Sequence, residues 1–133
     1  MGTRSLTYVV ENGKRIVCMY RQYDGYPSGH GKELYEFLQP ITIVNGLGDD
    51  SQNVANGAGC LAAQMVAHFK NGPGGIYLKS VTPDDCWQDY EYYVNVNDND
   101  NAISVSVKQS RARKFLFEGD VQQFGEWCTS TEY

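Results

Sequence analysis

The sequence predicts an α+β fold, in which a mostly antiparallel sheet of about six strands carries two packed helices and a short C-terminal helix. Three observations support this prediction. Strand-like segments begin the chain and recur in its second half, two helical apolar stripes lie between them, and the predicted order is β-β-α-α-β-β-β-β-α. Strands and helices that are segregated along the chain are typical of α+β folds. At 133 residues, the chain is expected to form a single ligand-binding domain over residues 1–133.

Two hairpins are predicted. Residues 5–10 and 15–20 are rich in β-branched and aromatic residues, and Asn12-Gly13 between them is a strong signal for a tight turn. The second hairpin joins Tyr90–Val96 to Ala102–Lys108, where apolar and polar residues alternate strictly on both sides of a polar turn.

Helical segments are predicted by apolar residues three and four positions apart. The first runs from Lys32 to Gln39 and ends before Pro40. The second covers Gly59–Lys70 and is followed by a glycine-rich stretch that stops it. Asp120 and Gln123 resemble a capping box, which indicates that a short C-terminal helix starts there.

The remaining segments are shorter. Residues 41–44 fit either a short strand or a packed loop, and Asn45–Asn56 is predicted to be a polar loop. Ile76–Val81 and Lys114–Glu118 predict two further strands. Because each of the first two helices has one apolar stripe, both are expected to pack on one face of the sheet.

The composition of the chain argues against several classes of function. The net charge of −5 argues against binding of bulk DNA or RNA, which requires a broad positive surface. The four cysteines form no CxxC pattern, so we expect free thiols in a reducing cytosol and no metal site. There is no signal peptide and no apolar run long enough to cross a membrane, so no membrane association is expected. The acid pairs at 49–50 and 84–85 could supply metal carboxylates, but such pairs are usually solvated.

The densest cluster of turn residues and aromatics runs from Arg21 to Leu38. Gly29-His30-Gly31 leads into the first helix, where free backbone N–H groups and the helix dipole favour an anion. Arg21 precedes the turn, and a second glycine pair at Gly57 and Gly59 opens the next helix. Two such helix starts suggest a ligand that carries phosphate. The alternative is two ordinary tight turns.

Catalytic motifs are missing from the sequence. The glycine turn resembles a phosphate-binding loop, but its spacing is one residue too long, and Glu33 replaces the Ser or Thr that would hold magnesium. No nucleophile–base pair or metal motif is recognisable, which favours a binding protein without a cofactor. His30 could act as a general acid, or it could cap the helix.

A local basic spot lies late in the chain. Arg111 and Arg113 are two residues apart, so an extended segment would place both side chains on one face. A guanidinium pair suits phosphate or carboxylate recognition. A solvated charged edge that prevents strand aggregation is an equal alternative.

Aromatic and amide side chains supply the rest of a nucleotide site. Trp87 and Tyr77 could stack on a nucleobase, although aromatics near a sheet more often pack in the core. Asn95 shares a predicted strand face with Tyr93, and it could contact a base or ribose or only face solvent.

These features together resemble the anti-Thoeris sponge proteins encoded by phages and prophages. The resemblance rests on the RQYDGYPSGHGKEL stretch after an N-terminal hairpin, and the two helices, the later strands and the basic KQSRARKF stretch extend it along the chain. Members of that family bind cyclic ADP-ribose isomers made by bacterial immune TIR proteins and are not known to cleave them. Some members also bind the cyclic oligonucleotides of CBASS defence.

The resemblance implies a non-catalytic sponge for cyclic ADP-ribose isomers, with cyclic di- or trinucleotides as further candidate ligands, in the cytoplasm of an infected bacterial host. It implies a homo-oligomer, a dimer or a dimer-based assembly, with pockets between protomers. By type and order, the family's site residues fall here on Trp87 or Tyr77, Asn95, Arg111 and Arg113. The alternatives are a structural or protein-binding homo-oligomer and a nucleotide phosphodiesterase.

Overall fold

A computed structural model describes residues 2–46, 53–97 and 99–130. Over these residues the predicted α+β fold is confirmed, with a six-stranded sheet, three α-helices and a second sheet of two strands. The strands are β1 (Ser5–Glu11), β2 (Lys14–Arg21), β3 (Thr42–Val44), β4 (Val54–Asn56), β5 (Ile76–Lys79), β6 (Tyr90–Asn97), β7 (Ala102–Gln109) and β8 (Lys114–Asp120). The helices are α1 (Lys32–Leu38), α2 (Gly57–Phe69) and α3 (Val121–Ser130), and a π-helical turn at Pro27–Gly31 leads into α1.

The main sheet has the strand order β5-β2-β1-β6-β7-β8. Both predicted hairpins are present, as the antiparallel pairs β1–β2 and β6–β7. Asn12 and Gly13 have positive φ angles of 50° and 83°, as a tight hairpin turn of the primed type requires. The central pair, β1 and β6, is parallel, so the sheet is mixed.

The larger differences from the sequence prediction lie in the segment before α2, at the start of α2 and at the end of β5. Val54–Asn56, predicted to belong to a polar loop, forms β4 and pairs in parallel with β3. Of the two alternatives for residues 41–44, this pairing favours the short strand, which covers Thr42–Val44. The strand that begins at Ile76 ends at Lys79 rather than at Val81, and α2 begins at Gly57 rather than Gly59.

The helices cover one face of the sheet. The core on this face joins Val9, Met19, Val94 and Val105 of the sheet to Leu34 and Leu38 of α1, Leu61 and Met65 of α2, and Phe124 of α3. Burying such a side chain contributes about 1.5–3 kcal/mol. The expected packing of the first two helices on one face is therefore confirmed, and α3 packs on that face too. None of the helices in the described residues is long and apolar enough to cross a membrane.

The predicted capping box fixes the start of α3. The Gln123 N–H donates to Asp120 Oδ1 at 2.8 Å, and the Asp120 N–H donates to Gln123 Oε1 at 2.9 Å. These reciprocal bonds satisfy backbone donors that the first turn of a helix otherwise leaves without partners. They also fix the corner between β8 and α3.

The opposite face of the sheet, which we call the open face, carries no helix among the described residues. A smaller apolar cluster lies there, formed by Leu6, Tyr8, Val10 and Cys18. Cys86 packs against this cluster, so the segment between β5 and β6, which we call the 80–89 loop, crosses part of the open face.

Two β-bulges change which side chains reach the open face. In β2, Val9 pairs with Val17 but Val10 pairs with Arg15, so Ile16 is the extra residue. Ile16 and Val17 both pack toward the helices, and Arg15 lies on the open face. A second bulge, in β8, places Phe115 opposite Lys108. Bulges of this kind commonly redirect side chains beside functional sites.

Candidate ligand-binding cleft

A cleft of about 640 Å³ lies on the open face, between the 80–89 loop and the β7–β8 turn. Its volume is within the range of small-molecule sites, about 300–1,000 Å³. The cleft is lined by Tyr8, Arg15, Thr82, Pro83, Asp84, Asp85, Trp87, Gln88, Glu91, Ser110, Arg111 and Arg113. Three of the residues singled out from the sequence, Trp87, Arg111 and Arg113, therefore meet at one place.

The floor of the cleft is Tyr8, which stacks on Tyr93 and has an arginine above its ring. The rings of Tyr8 and Tyr93 stack with centroids 5.1 Å apart, and the Arg15 guanidinium carbon lies 4.1 Å from the centroid of Tyr8. Arg15 also donates from Nη1 to the carbonyl oxygen of Val81 at 3.1 Å. Arg15 thus links the sheet to the start of the 80–89 loop while its charge lines the cleft.

Glu91 connects the floor to the β7–β8 turn. Its Oε1 accepts the Tyr93 hydroxyl at 2.8 Å, and its Oε2 accepts the Ser110 hydroxyl at 2.7 Å. Burial, followed by the hydrogen bond and charge of Glu91, raises the pKa of Tyr93 to about 12, so this hydroxyl keeps its proton near neutral pH.

Trp87 forms part of the outer wall, and its side chain is unusually accessible. The residue is 65% exposed, and its φ of 60° is in the left-handed region, which a bulky residue rarely adopts. Its N–H donates to Asp85 Oδ1 at 2.8 Å, which stabilises this backbone conformation. Backbone strain of this type clusters at ligand sites. The expectation that such an aromatic would belong to the core does not apply to Trp87.

Arg111 and Arg113 reach the cleft by a route different from the predicted one. They do not lie on an extended segment, because residues 110–113 form the turn between β7 and β8, and Arg113 has a φ of 51°. The argument from strand alternation is therefore wrong, although both side chains line the same cleft. Arg111 is highly exposed, and its Nε lies 3.7 Å from Asp89 Oδ1.

Asn95 lies on β6 two positions beyond Tyr93 but does not line the cleft. Its Nδ2 donates to the Ser106 hydroxyl at 3.3 Å and to the Tyr93 carbonyl at 3.4 Å. Asn95 therefore bonds within the sheet, beside the site.

Tyr77 lies on the edge strand β5, away from the cleft. Its ring centroid is 5.9 Å from that of Tyr20, and Lys70 Nζ lies 5.4 Å from its centroid. Tyr20 lines a neighbouring cleft of about 490 Å³ that shares Trp87 as a wall. Tyr77 therefore contacts a residue that lines the second cleft but does not line that cleft itself.

Arg21 and His30 lie on the helix-covered face and face the interior. Arg21 Nη1 donates to His30 Nδ1 at 3.1 Å and pairs with Glu33 Oε2 at 2.6 Å. Because Nδ1 accepts from a guanidinium, the ring proton resides on Nε2, which lies 2.7 Å from Thr7 Oγ1 and donates to it. Burial and the charge of Arg21 lower the pKa of His30 to about 3. His30 is therefore neutral, with both nitrogens occupied.

Gly29 and Gly31 are explained by close packing. A Cβ at Gly29 would lie 2.6 Å from the Asp24 carbonyl oxygen, and one at Gly31 would lie 2.8 Å from Cys128 Sγ. The backbone N–H groups of residues 29–31 donate to carbonyl oxygens of Asp24 and Tyr26. The inference that this turn leaves donors free for an anion is corrected accordingly.

Two of the charged residues that line the cleft, Arg15 and Glu91, were not anticipated from the sequence. Strict alternation from Cys18 places Ile16 on the open face, and only the bulge brings Arg15 there. Glu91 was visible as a polar position on β6, but its role depends on Ser110, which is 19 residues away.

The lining of the cleft has equal numbers of positively and negatively charged side chains. Arg15, Arg111 and Arg113 face Asp84, Asp85 and Glu91 around the same space.

A search of the described residues finds no group of three or more His, Cys, Asp or Glu side chains arranged to hold a metal ion. Of the two acid pairs, 49–50 lies outside the described residues. The four cysteines are all described, and none forms a disulfide.

The geometry defines a cleft with arginines and an accessible tryptophan beside a tyrosine-rich sheet. No protein-family model, curated protein or solved structure matches this chain.

Proposed function

We propose that this protein is a phage-encoded sponge that binds cyclic ADP-ribose-type immune signals in the open-face cleft and holds them without cleavage. Cyclic di- or trinucleotides are the second ligand class. The proposal follows from the family resemblance of the sequence, together with a cleft whose chemistry suits such ligands. Its setting would be the cytoplasm of an infected bacterial host.

One observation carries the proposal. Trp87 is largely exposed, has a strained backbone, and borders the same space as Arg111 and Arg113. An exposed indole can stack on a nucleobase, and guanidinium groups bind phosphates through charge-assisted hydrogen bonds. A cyclic ADP-ribose presents one base and two phosphates, so it matches both elements at once.

Sequestration is favoured over cleavage by the state of His30. As the candidate general acid, it would have to reach a ligand and exchange a proton near neutral pH. It is instead fully buried on the helix-covered face, and its pKa is lowered to about 3 by burial and Arg21. His30 therefore lends no support to the phosphodiesterase alternative.

We further propose that the protein acts as a homo-oligomer, a dimer or a dimer-based assembly. The edge strand β5 supports this idea, because Tyr77 and Leu78 on it are 45% and 60% exposed. Light scattering at micromolar concentration should give a mass above the 14.9 kDa of one chain. A monomer that binds its ligand tightly would contradict the proposed oligomer and would show that the cleft of one chain is sufficient for binding.

The function is tested by titrating the protein calorimetrically with individual cyclic ADP-ribose isomers, then heating the complex and chromatographing the released ligand. Sponge activity predicts saturable binding and recovery of the intact cyclic compound. Linear ADP-ribose in excess of the protein would identify a hydrolase, and the absence of binding for every isomer and every cyclic oligonucleotide would reject the sponge.

A further inference from the structure

The carboxylate of Glu91 lies within the cleft, although an anion site would normally exclude it. Both of its oxygens are committed to hydroxyl donors, Oε1 to Tyr93 and Oε2 to Ser110. Because each oxygen accepts a hydrogen bond from a hydroxyl, the dipoles of these donors offset part of the negative charge, and the group repels a bound anion less than a free carboxylate would.

The two hydrogen bonds of Glu91 join separate parts of the cleft. Tyr93 accepts a long contact of 3.4 Å from Arg15 Nη2, so one branch reaches the floor arginine. The other branch reaches Ser110, the first residue of the turn that carries Arg111 and Arg113. The Ser110 N–H also donates to the Asp89 carbonyl at 3.0 Å, and Arg111 Nε lies 3.7 Å from Asp89 Oδ1. The Ser110–Glu91 bond, at 2.7 Å, is the shorter of these two side-chain contacts and is the side-chain anchor of this turn.

We infer that Glu91 is a positioning residue, which holds the 110–113 turn so that Arg111 and Arg113 face Arg15 across the cleft. This inference rests on the proposed function for its ligand and deepens it. Without the anchor, two long and exposed arginine side chains on a four-residue turn would have to be ordered by the ligand, at a cost in conformational entropy. With it, the turn is ordered in advance.

Glu91 has a second consequence, for specificity. The lining holds three arginines and three carboxylates, so the cleft is close to neutral overall. A nearly neutral lining favours a ligand with few charges and a stacking ring over a polyphosphate. Replacing Glu91 with Gln keeps a planar group able to bond both hydroxyls but removes one negative charge, so ligands of higher negative charge should gain the most.

The binding test is a double-mutant cycle with a cyclic ADP-ribose isomer as the probe. Glu91→Ala should raise Kd roughly 10-fold, and Ser110→Ala should raise it about 3- to 10-fold. The double variant should be no weaker than Glu91→Ala, because both changes cut the same link. Glu91→Gln should restore affinity to within about 3-fold of the wild type.

Glu36→Gln, on an exposed position of α1, is the matched control for charge. Additive effects, or a Glu91→Gln variant as weak as Glu91→Ala, would overturn the inference.

A ligand-free readout keeps this inference separate from the proposed function. Limited trypsin digestion, followed by mass spectrometry, measures cleavage after Arg111 and Arg113 relative to cleavage at all other sites. Glu91→Ala should accelerate these two cleavages about 3-fold or more, and Glu91→Gln should not. If the wild type binds no cyclic nucleotide but the turn loosens as described, the proposed function fails and the positioning role stands. Unchanged cleavage in Glu91→Ala would reject the positioning role whatever the ligand.

Discussion

Two arginine-centred clusters lie on opposite faces of the same sheet, and they differ in what their hydrogen bonds leave available. Arg21 lies beneath the helices, and its side chain is about one-tenth exposed. Its guanidinium group donates to His30, to Glu33 and to the Tyr23 carbonyl. Arg111 and Arg113 lie on the open face beside a cleft, and Arg111 has one weak ion pair at 3.7 Å.

The comparison shows that residue type does not separate a structural cluster from a candidate binding cluster. Both clusters combine arginine, tyrosine and a tight turn. In the first, internal partners engage Arg21 and both nitrogens of His30, so the energy of those contacts goes into stability. In the second, the guanidinium groups keep donors that a phosphate can use, so their energy is available for binding.

The largest expected effect concerns the open face. Arg111→Ala and Arg113→Ala should each cost about 1.5–3 kcal/mol of binding, or roughly 10- to 100-fold in Kd, because each removes a charge-assisted contact. Lys114→Ala is the matched control, since Lys114 is exposed and does not line the cleft. Calorimetric titration with a cyclic ADP-ribose isomer measures all three. Normal binding by both arginine variants would move the site away from this turn.

A comparable effect on stability, with none on binding, is expected beneath the helices. Arg21→Ala removes the donor to His30 Nδ1 and leaves a buried acceptor without a partner, which costs about 1–3 kcal/mol of unfolding free energy. Urea denaturation measures this loss. The affinity of the folded fraction should match that of the wild type, and a selective loss of affinity would return Arg21 to the binding site.

A third expected effect is a pH dependence of the unfolding free energy that belongs to His30. Its pKa is about 3 in the folded protein and 6.5 ordinarily, so the unfolded chain binds a proton that the folded one does not. Its stabilising contribution is complete above about pH 6.5 and is lost as the pH falls toward 3, with a slope of up to about 1.4 kcal/mol per pH unit.

The control for this pH dependence is His30→Gln, which cannot titrate but keeps hydrogen-bonding groups. The difference in unfolding free energy between wild type and variant should shrink between pH 6.5 and 4. A constant difference over that window would show that His30 is not buried in its neutral form.

Local patterns predicted the local structure well. The Asn12-Gly13 turn, both hairpins and the capping box at Asp120 are confirmed, because turn chemistry and side-chain alternation act between near neighbours. The parallel pairing of β1 with β6 and the pairing of β3 with β4 were not predicted, since no local signal encodes contacts between distant segments.

The candidate site was predicted in part for the same reason. Trp87, Arg111 and Arg113 were singled out by their chemistry, and the fold brings them to one cleft. Arg15 was missed because a bulge interrupts the alternation of β2, and Glu91 because its partner Ser110 lies on another strand's turn. Arg21 and His30 were assigned to the candidate site because they lie near glycines in the sequence. The packing role of these glycines becomes visible only in three dimensions.

The most direct test uses the two tryptophans of the chain as reporters of the two faces. Trp127→Phe leaves only Trp87, in the open-face cleft, and Trp87→Phe leaves only Trp127, which stacks on Phe117 at 5.3 Å on the helix-covered face. Titration with a cyclic ADP-ribose isomer should quench Trp87 fluorescence, since base stacking on an indole is worth about 1–3 kcal/mol, and should leave Trp127 unchanged. A saturable change in Trp127 fluorescence, with Trp87 unaffected at ligand concentrations where calorimetry reports full binding, would place the ligand on the helix-covered face and contradict the open-face site.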